Sequence, residues 1–576
     1  MAAPAQSTIL GQSQDAFQQE IALYRRERIL ERFLAKDRSL WPEDLVAEDR
    51  ALGELAWLRL PELLGPFLEA LQECEAAADA DGLEDRALLA LESSNLCARA
   101  LLGFSGLVPG RKFVVLDSIC PHAIRQMEQR LDLRSTLFFL VNKLNYHLED
   151  HCLFLYFQDQ LQLLEQGCAS RHFVSETEPN TYLASLSRQN AFRDVLPDPC
   201  DIPPHYCSLL HFSGLFNSLR VAEPAQILAV VEQMRQSCVQ LDPGAANPAL
   251  QLAAFLTSVV ESHRSYLAFL ASPSLIEFTR RLGQLVGGSL TRDGAGLIPL
   301  VGAVPRDTRE FERDTAFVAL THPGDQDGEI ADAISRFRSS ATPFLHIEIA
   351  RPLDLLPESY KWEFATILAS ARLGLNPFDA PYNRLPRVFA TEMLEELFRG
   401  GTPFQRLPRL GEQLIQLYAD GRTRHEISAL NMAEALRSFL RISTPGRHVT
   451  LLVYLPPSPQ VDAAFTKIRA KMTEVLKRPV LLVYGPLAGR HHGHVFREEL
   501  SYGPCVIFTS DQHLDRNIPG ATYTFAQLHE ALSLGEYDAL VHWERPVIRL
   551  HLTAQSPLVF QQLQHLFDQA LRRFPA

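Results

Sequence analysis

The chain has no run of about twenty apolar residues, the length a membrane-spanning helix needs, so no such helix is expected. It also lacks an excess of basic residues: 55 Lys and Arg stand against 68 Asp and Glu, a formal net charge of −13. A surface that neutralises nucleic-acid phosphates needs clustered cations, so nucleic acid is excluded as an expected partner. No CxxC pair occurs among the nine cysteines, at positions 74, 97, 120, 152, 168, 200, 207, 238 and 505. An odd number at such spacings fits reduced thiols better than a disulfide framework and points to the cytoplasm. The opening residues, MAAPAQSTILGQSQDAF, lack the basic stretch and apolar run of a signal peptide. Walker A, GxSxG, GxGxxG and HExxH patterns are missing too, which removes the usual sequence signs of nucleotide binding, serine hydrolysis and zinc proteolysis.

What is present is an α/β pattern. At 576 residues the chain exceeds one compact core, and two or three domains are expected. Between about 13 and 85 apolar positions such as Ile21, Tyr24, Ile29 and Phe33 recur at helical spacing, punctuated by Pro42 and Pro61. Short apolar runs alternating with amphipathic segments follow, the pattern of parallel sheets covered by helices. The spacing predicts strands at 87–91, 113–117, 136–141, 172–175 and 194–197, then a helix at 250–271. Further strands are expected at 297–301, 317–320, 345–349, 450–454, 480–484, 505–509 and 547–552. The expected divisions are a helical region at 1–85, parallel-sheet domains at 86–242 and 249–448, and a C-terminal α/β part at 449–576 associated with the second.

In open parallel sheets ligands gather at the carboxyl ends of the strands, so the loops there come first. LESSNLCAR, residues 91–99, offers Ser93 and Ser94 as anion donors or as plain helix caps, and Glu92 counts against an anion. FFLVNKLNYHLED, residues 138–150, has the strand–turn–helix form of a phosphate loop without glycine, serine or threonine in the turn. Asn142, Lys143 and Asn145 are the groups there that could meet an anion, but the side chain at Asn145 hinders the close backbone approach that glycine permits. RHHGHVFREE, residues 490–499, carries His491, His492 and His494 but no spaced further ligand, so solvated histidines are expected and no metal. PPHYCSLLHF, residues 203–212, holds Cys207 between His205 and His211, and its apolar neighbours point to a buried thiol rather than a nucleophile.

Several segments occur in one register: AKDRSLWPED at 35–44, WLRLPE at 57–62, VVLDS at 114–118, LASPSL at 270–275, KWEFATILASARLGLNPFDAP at 361–381, VYLPPSP at 453–459 and NIPGATYTFAQL at 517–528. Together they resemble the glucose-6-phosphate isomerase module of bacterial bifunctional transaldolase/glucose-6-phosphate isomerase proteins, over roughly residues 20–575. The resemblance implies two sugar-isomerase (SIS) parallel-sheet domains flanked by helices, with a site between them and no cofactor. The reaction moves a proton between C1 and C2 of a sugar phosphate through an enediol, which takes a carboxylate base and donors around the phosphate.

Carried over residue by residue, the resemblance implies a degenerate site. The family's GMGGSS turn is LALESS at 89–94, leaving Ser93 and Ser94. Its phosphate-binding SKSGTT is NKLNYH at 142–147, leaving Lys143, with Glu149 matching the acidic residue beyond. His205 stands in place of the arginine that helps stabilise the enediolate, Gly288 in place of the glutamate base, and Arg497 in place of a late lysine. No carboxylate lies nearer along the chain after Gly288 than Asp293. Losing a general base forfeits about 10² to 10⁴ in rate, and each lost charge-assisted hydrogen bond costs roughly 1.5–3 kcal/mol. The function expected is therefore that of an isomerase-like protein of sugar-phosphate metabolism without its catalysis. Its expected partners are a sugar phosphate and either another protein or a second copy of itself. The alternatives are a sugar-phosphate sensor, or an altered isomerase using His205, Cys207, Asp293 or the His491–His494 cluster.

Overall fold

The structure is a computed structural model that describes the chain apart from residues 1–4, 10–13, 49–54, 92, 106–111, 144–147, 165–168, 200, 242–246, 293–294, 303–312, 326, 339, 341, 379–383, 428–430, 443–447, 486–502, 573 and 575–576. It divides into two compact units, residues 1–117 with 130–381, and residues 118–129 with 382–576.

Strands with helices on both faces of their sheet read as unbroken apolar runs. TLFFLV at Thr136–Val141 is one, buried along its whole length. It lies at the centre of a parallel sheet ordered Phe113–Leu116, Asp85–Leu89, Thr136–Val141, Phe173–Thr177, Asp194–Pro197. A second sheet in the same unit runs Ile298–Val301, Tyr266–Ala271, Thr315–Thr321, Phe344–Glu348, with Ala5–Ile9 antiparallel at its edge. One continuous apolar core joins these two sheets. The other unit has its own core and a sheet ordered Val480–Tyr484, Val449–Tyr454, Cys505–Ser510, Val547–Leu552, then Ile415–Tyr418 and Leu410–Glu412 antiparallel.

Counted in chain order, the parallel strands of these three sheets follow one pattern, 2-1-3-4, which a fifth strand extends to 2-1-3-4-5 in the first sheet. Each is doubly wound, with strand order reversing beside its first strand, where such sheets bind ligands. The C-terminal part expected as an extension thus carries a doubly wound sheet of its own. Ile415–Tyr418, from the 249–448 range, pairs with Val547–Leu552 in it.

Two expectations need correction. The helix expected at 250–271 is a helix at Pro248–Glu261 followed by a strand at Tyr266–Ala271. His263, at φ 57, turns the chain out of the helix between them. YLAFLA is apolar and buried almost throughout, so its periodicity does not separate strand from helix. The Ala5–Ile9 strand lies inside the 1–85 division expected to be helical, ahead of the helical spacing that starts near residue 13, and had no expected counterpart. Among the described residues no helix is long and apolar enough to cross a membrane.

The core of the second unit encloses an ionisable group. His529, on the Phe525–His542 helix, packs edge-on against the Tyr454 ring at 5.9 Å, and burial pushes its imidazole down to about 4. The unfolded chain takes up this proton near pH 6.5, while the folded chain resists until about 4. Its contribution is therefore intact above pH 6.5 and lost as pH falls from there to about 4. At about 1.4 kcal/mol per pH unit, the wild type should lose about 3 kcal/mol more than His529→Gln over that window. Urea unfolding at pH 7 and pH 4 measures the difference, and parallel losses in the two proteins would reject it.

Candidate functional site

The first sheet ends in the loops singled out by sequence. The Ser93–Ser105 helix follows its first strand, and Ser94 is buried with its Oγ unpartnered. After Thr136–Val141 the chain enters Asn142 and Lys143, both buried. The Asn142 amide donates to Asp150 Oδ2 at 2.6 Å, and its backbone N–H donates to the Glu176 carbonyl at 3.2 Å. Lys143 Nζ donates to Asp198 Oδ1 and to the Pro199 carbonyl, and lies 3.6 Å from Glu178 Oε1. Burial acts to lower the ammonium, but Cys207, Asp198 and Glu178 around it hold it well above its usual range. The Leu148–Leu164 helix then opens with Glu149 and Asp150 in its first turn, both buried. A helix N-terminus favours negative charge, and here the chain supplies that charge itself. The cation and the amide that sequence offered to an anion are both engaged by carboxylates.

A second network lies deeper in the same unit. Glu363, on the fully buried face of the Leu355–Leu373 helix, is completely enclosed. Its Oε1 accepts from the Ser208 backbone N–H at 3.1 Å, from the Ser208 hydroxyl and from Arg281 Nη2 at 3.0 Å; its Oε2 accepts from Trp57 Nε1 at 3.1 Å. Burial pushes this carboxyl up, against the pull of Arg281, Ser208 and Trp57. Arg281 also donates to the His205 carbonyl, and His205 Nε2 donates to the Pro377 carbonyl at 3.0 Å. The Tyr206 hydroxyl donates to Ser289 Oγ at 2.8 Å and meets Thr366 Oγ1 at 3.0 Å. A Cβ added at Gly288 would lie 3.6 Å from His205 Cδ2, an ordinary contact.

Beneath the first sheet, between it and the Leu60–Ala80 and Ser208–Ser218 helices, lies a cavity of about 420 Å³, counting its open mouth. Leu88, Phe139 and Leu196 give it apolar walls, while Ser94, Glu176 and His211 supply polar groups. His211 Nε2 stands 3.7 Å from Glu176 Oε1. Burial, with help from nearby Asp198, pushes the Glu176 carboxyl well above the usual range. Burial, together with Arg281 and Lys143, pushes the His211 imidazole down to about 3.

The structure thus sets Gly288 beside His205, within reach of an added Cβ, and it places Lys143, Asn142 and Ser94 at the carboxyl end of the first sheet. Ser93 starts its helix. Glu149 lies in the first turn of the next helix. Arg497, the His491–His494 cluster, Asp293 and Asn145 lie outside the described residues. Cys207 is buried and its thiol is raised well above its usual range by burial. Sequence reasoning did not single out Glu176, Asp198, Glu363 or Arg281. Asp198 directly follows the expected strand at 194–197, and Glu363 stands inside the quoted WEFAT, which were the signals available.

No family model and no curated protein sequence matches the chain. Among solved structures, a hypothetical protein from Thermus thermophilus is similar at 19% identity and TM-score 0.55, over 68% of this chain and 100% of that one. A glucose-6-phosphate isomerase from Chlamydia trachomatis gives 15% identity and TM-score 0.46, over 60% and 74% of the two chains. A glucosamine-6-phosphate deaminase from Thermotoga maritima gives 11% identity and TM-score 0.37, over 57% and 98%. At these identities the likeness is one of fold: parallel-sheet domains flanked by helices.

The Glu363 network sets an expectation for stability. Glu363→Gln keeps the volume but leaves Arg281 as a buried charge without its counter-ion, a change that typically costs about 3 to 5 kcal/mol. Urea denaturation of the full chain measures it, and a loss below about 1 kcal/mol would show that the carboxylate does not hold this network.

Proposed function

We propose that the chain is an isomerase-fold protein that acts by binding and does not interconvert sugar phosphates. The observation that carries this reading is the engagement of Lys143 by Asp198 and Glu178, at the loop where the resemblance puts phosphate-holding groups. It is supported by Gly288, which stands against His205 at the position the resemblance gives to the base. Glu363, the carboxylate of the network that reaches His205, is not a substitute, because its two oxygens already accept four hydrogen bonds. A base must reach the hydrogen it removes, and an oxygen so enclosed does not.

A second reading, a sugar-phosphate sensor, is favoured by one feature: the unpartnered Ser94 hydroxyl at the cavity. In either reading the chain works through occupancy, passed on to a protein partner or to a second copy of itself.

Purified full-length protein is mixed with fructose 6-phosphate and coupled to glucose-6-phosphate dehydrogenase. The expected rate is at least about 10²-fold below that of an ordinary isomerase. Gly288→Glu, which restores a carboxylate at the base position, is expected to leave that rate unchanged because the phosphate loop is still spent. Turnover near that of ordinary isomerases, in either protein, would refute the reading. Thermal shift over a panel of sugar phosphates separates the sensor from a pure protein-binding role, since a ligand at one hundred times its Kd stabilises by about 2.7 kcal/mol.

A further inference from the structure

Three side chains converge at the polar end of the cavity from separate parts of the first sheet domain. Glu176 belongs to the Phe173–Thr177 strand, Asp198 follows the Asp194–Pro197 strand, and His211 belongs to the Ser208–Ser218 helix. Each offers one ligand atom, and these atoms all lie within 4.8 Å of one another. The three residues are 7%, 3% and 6% exposed. Glu176 Oε1, Asp198 Oδ2 and His211 Nδ1 have no hydrogen-bond partner. Buried polar atoms are nearly always paired, and two orphan carboxylate oxygens beside an imidazole nitrogen point to a missing partner.

The charge balance says what kind. Three carboxylates gather here, Glu176, Glu178 and Asp198, and Asp201 acts on Glu178 from beyond. Lys143 is the ammonium among them, bonded to Asp198 Oδ1 and leaving Oδ2 clear. Arg281, which also acts on His211, is committed to Glu363. Once ionised by a bound cation, these three carboxylates would carry three negative charges against one positive, a deficit of two that a divalent cation matches. The neutral Cys207 thiol nearby does not alter that count.

We propose that Glu176, Asp198 and His211 form a buried site for a divalent first-row transition ion of the zinc class. An imidazole with two carboxylates suits Zn²⁺ and its neighbours rather than Ca²⁺ or Mg²⁺, which take oxygen ligands. Two ligands of a tetrahedral ion with bonds of about 2.1 Å stand about 3.4 Å apart. His211 Nε2 and Glu176 Oε1 are at 3.7 Å, close to that spacing. The rest of the cluster closes by roughly 1 Å of side-chain movement on binding. Three protein ligands leave one position of a four-coordinate ion for a further donor. Glu176 and His211 both line the cavity, which is where such a donor could reach it.

The test uses the full-length protein, stripped with a chelator and titrated with Zn²⁺ by calorimetry and with Co²⁺ by absorption. Wild type is expected to bind one equivalent of Zn²⁺, to melt at a higher temperature with it, and to give a Co²⁺ spectrum of low coordination number. Glu176→Gln preserves volume and removes a buried charge, so it should fold, and its Zn²⁺ affinity should fall on the order of a hundredfold. Asp198→Asn tests the second carboxylate independently, with the same direction expected. Wild type that neither binds Zn²⁺ nor shifts its melting temperature would overturn the proposal. So would Zn²⁺ binding unchanged in Glu176→Gln, which would assign the ion to other histidines.

Discussion

The enclosed carboxylate of Glu363 is the constraint around which the first unit is arranged. Taking a carboxylate out of water costs several kcal/mol even after relaxation, so it can persist only where donors are delivered from every side. They come from three places in the sequence: Trp57 before the Leu60–Ala80 helix, Ser208 at the start of its own helix, and Arg281 from the Ile276–Ser289 helix, all meeting the Leu355–Leu373 helix that carries Glu363. Aromatic packing closes the shell, with Trp57 stacked on Tyr360 at 5.1 Å and Phe33 edge-on to Phe364 at 5.3 Å. The same arginine that balances Glu363 also holds the His205 carbonyl. The position of His205 beside Gly288 is therefore fixed by the same network that encloses Glu363.

Around that fixed point the polar groups at the carboxyl end of the first sheet pair with one another. In a phosphate site a lysine and a helix N-terminus act together on a dianion. Here the lysine neutralises Asp198, and the helix N-terminus has Glu149 and Asp150 in its first turn. The ammonium is already paired with Asp198, so an incoming phosphate would have to compete with a carboxylate that is covalently part of the chain.

Much of this fold was legible because its grammar is strong. Buried parallel strands of five or six mostly apolar residues, such as those at 136–141, 480–484 and 547–552, announce themselves without regard to tertiary context. YLAFLA at 266–271 failed for the opposite reason, since a run that is apolar on every side has no period to read. The edge strand at Ala5–Ile9 is recruited by pairing with Phe344–Glu348, more than three hundred residues away in sequence, and no local pattern encodes that. The site divides in the same way. Ser94, Asn142, Lys143, His205 and Gly288 stand in motifs with a recognisable order, whereas Glu176, Asp198 and His211 become neighbours only when the two strand ends meet the Ser208–Ser218 helix. A metal reading placed on consecutive histidines looked for spacing along the chain, while this cluster has its spacing across the sheet.

The energetics of that cluster also bear on whether the first sheet domain is a relic. A buried polar atom without a partner costs roughly 1 to 3 kcal/mol, and Glu176, Asp198 and His211 each have one. Replacing all three by apolar residues of similar size would relieve that cost, with Lys143 and its other carboxylate partner Glu178 replaced as well. A cavity that had merely lost its occupant would gain stability by this route at no functional expense. The folded chain instead keeps three ionisable groups aimed at one another in an otherwise apolar chamber. Such an arrangement is stable in proportion to how well something else satisfies it, and burial alone does not: it raises the Glu176 carboxyl and depresses the His211 imidazole, opposing charge on both. A divalent cation held by these three residues would relieve that cost, by favouring the ionised carboxylates and taking the imidazole lone pair.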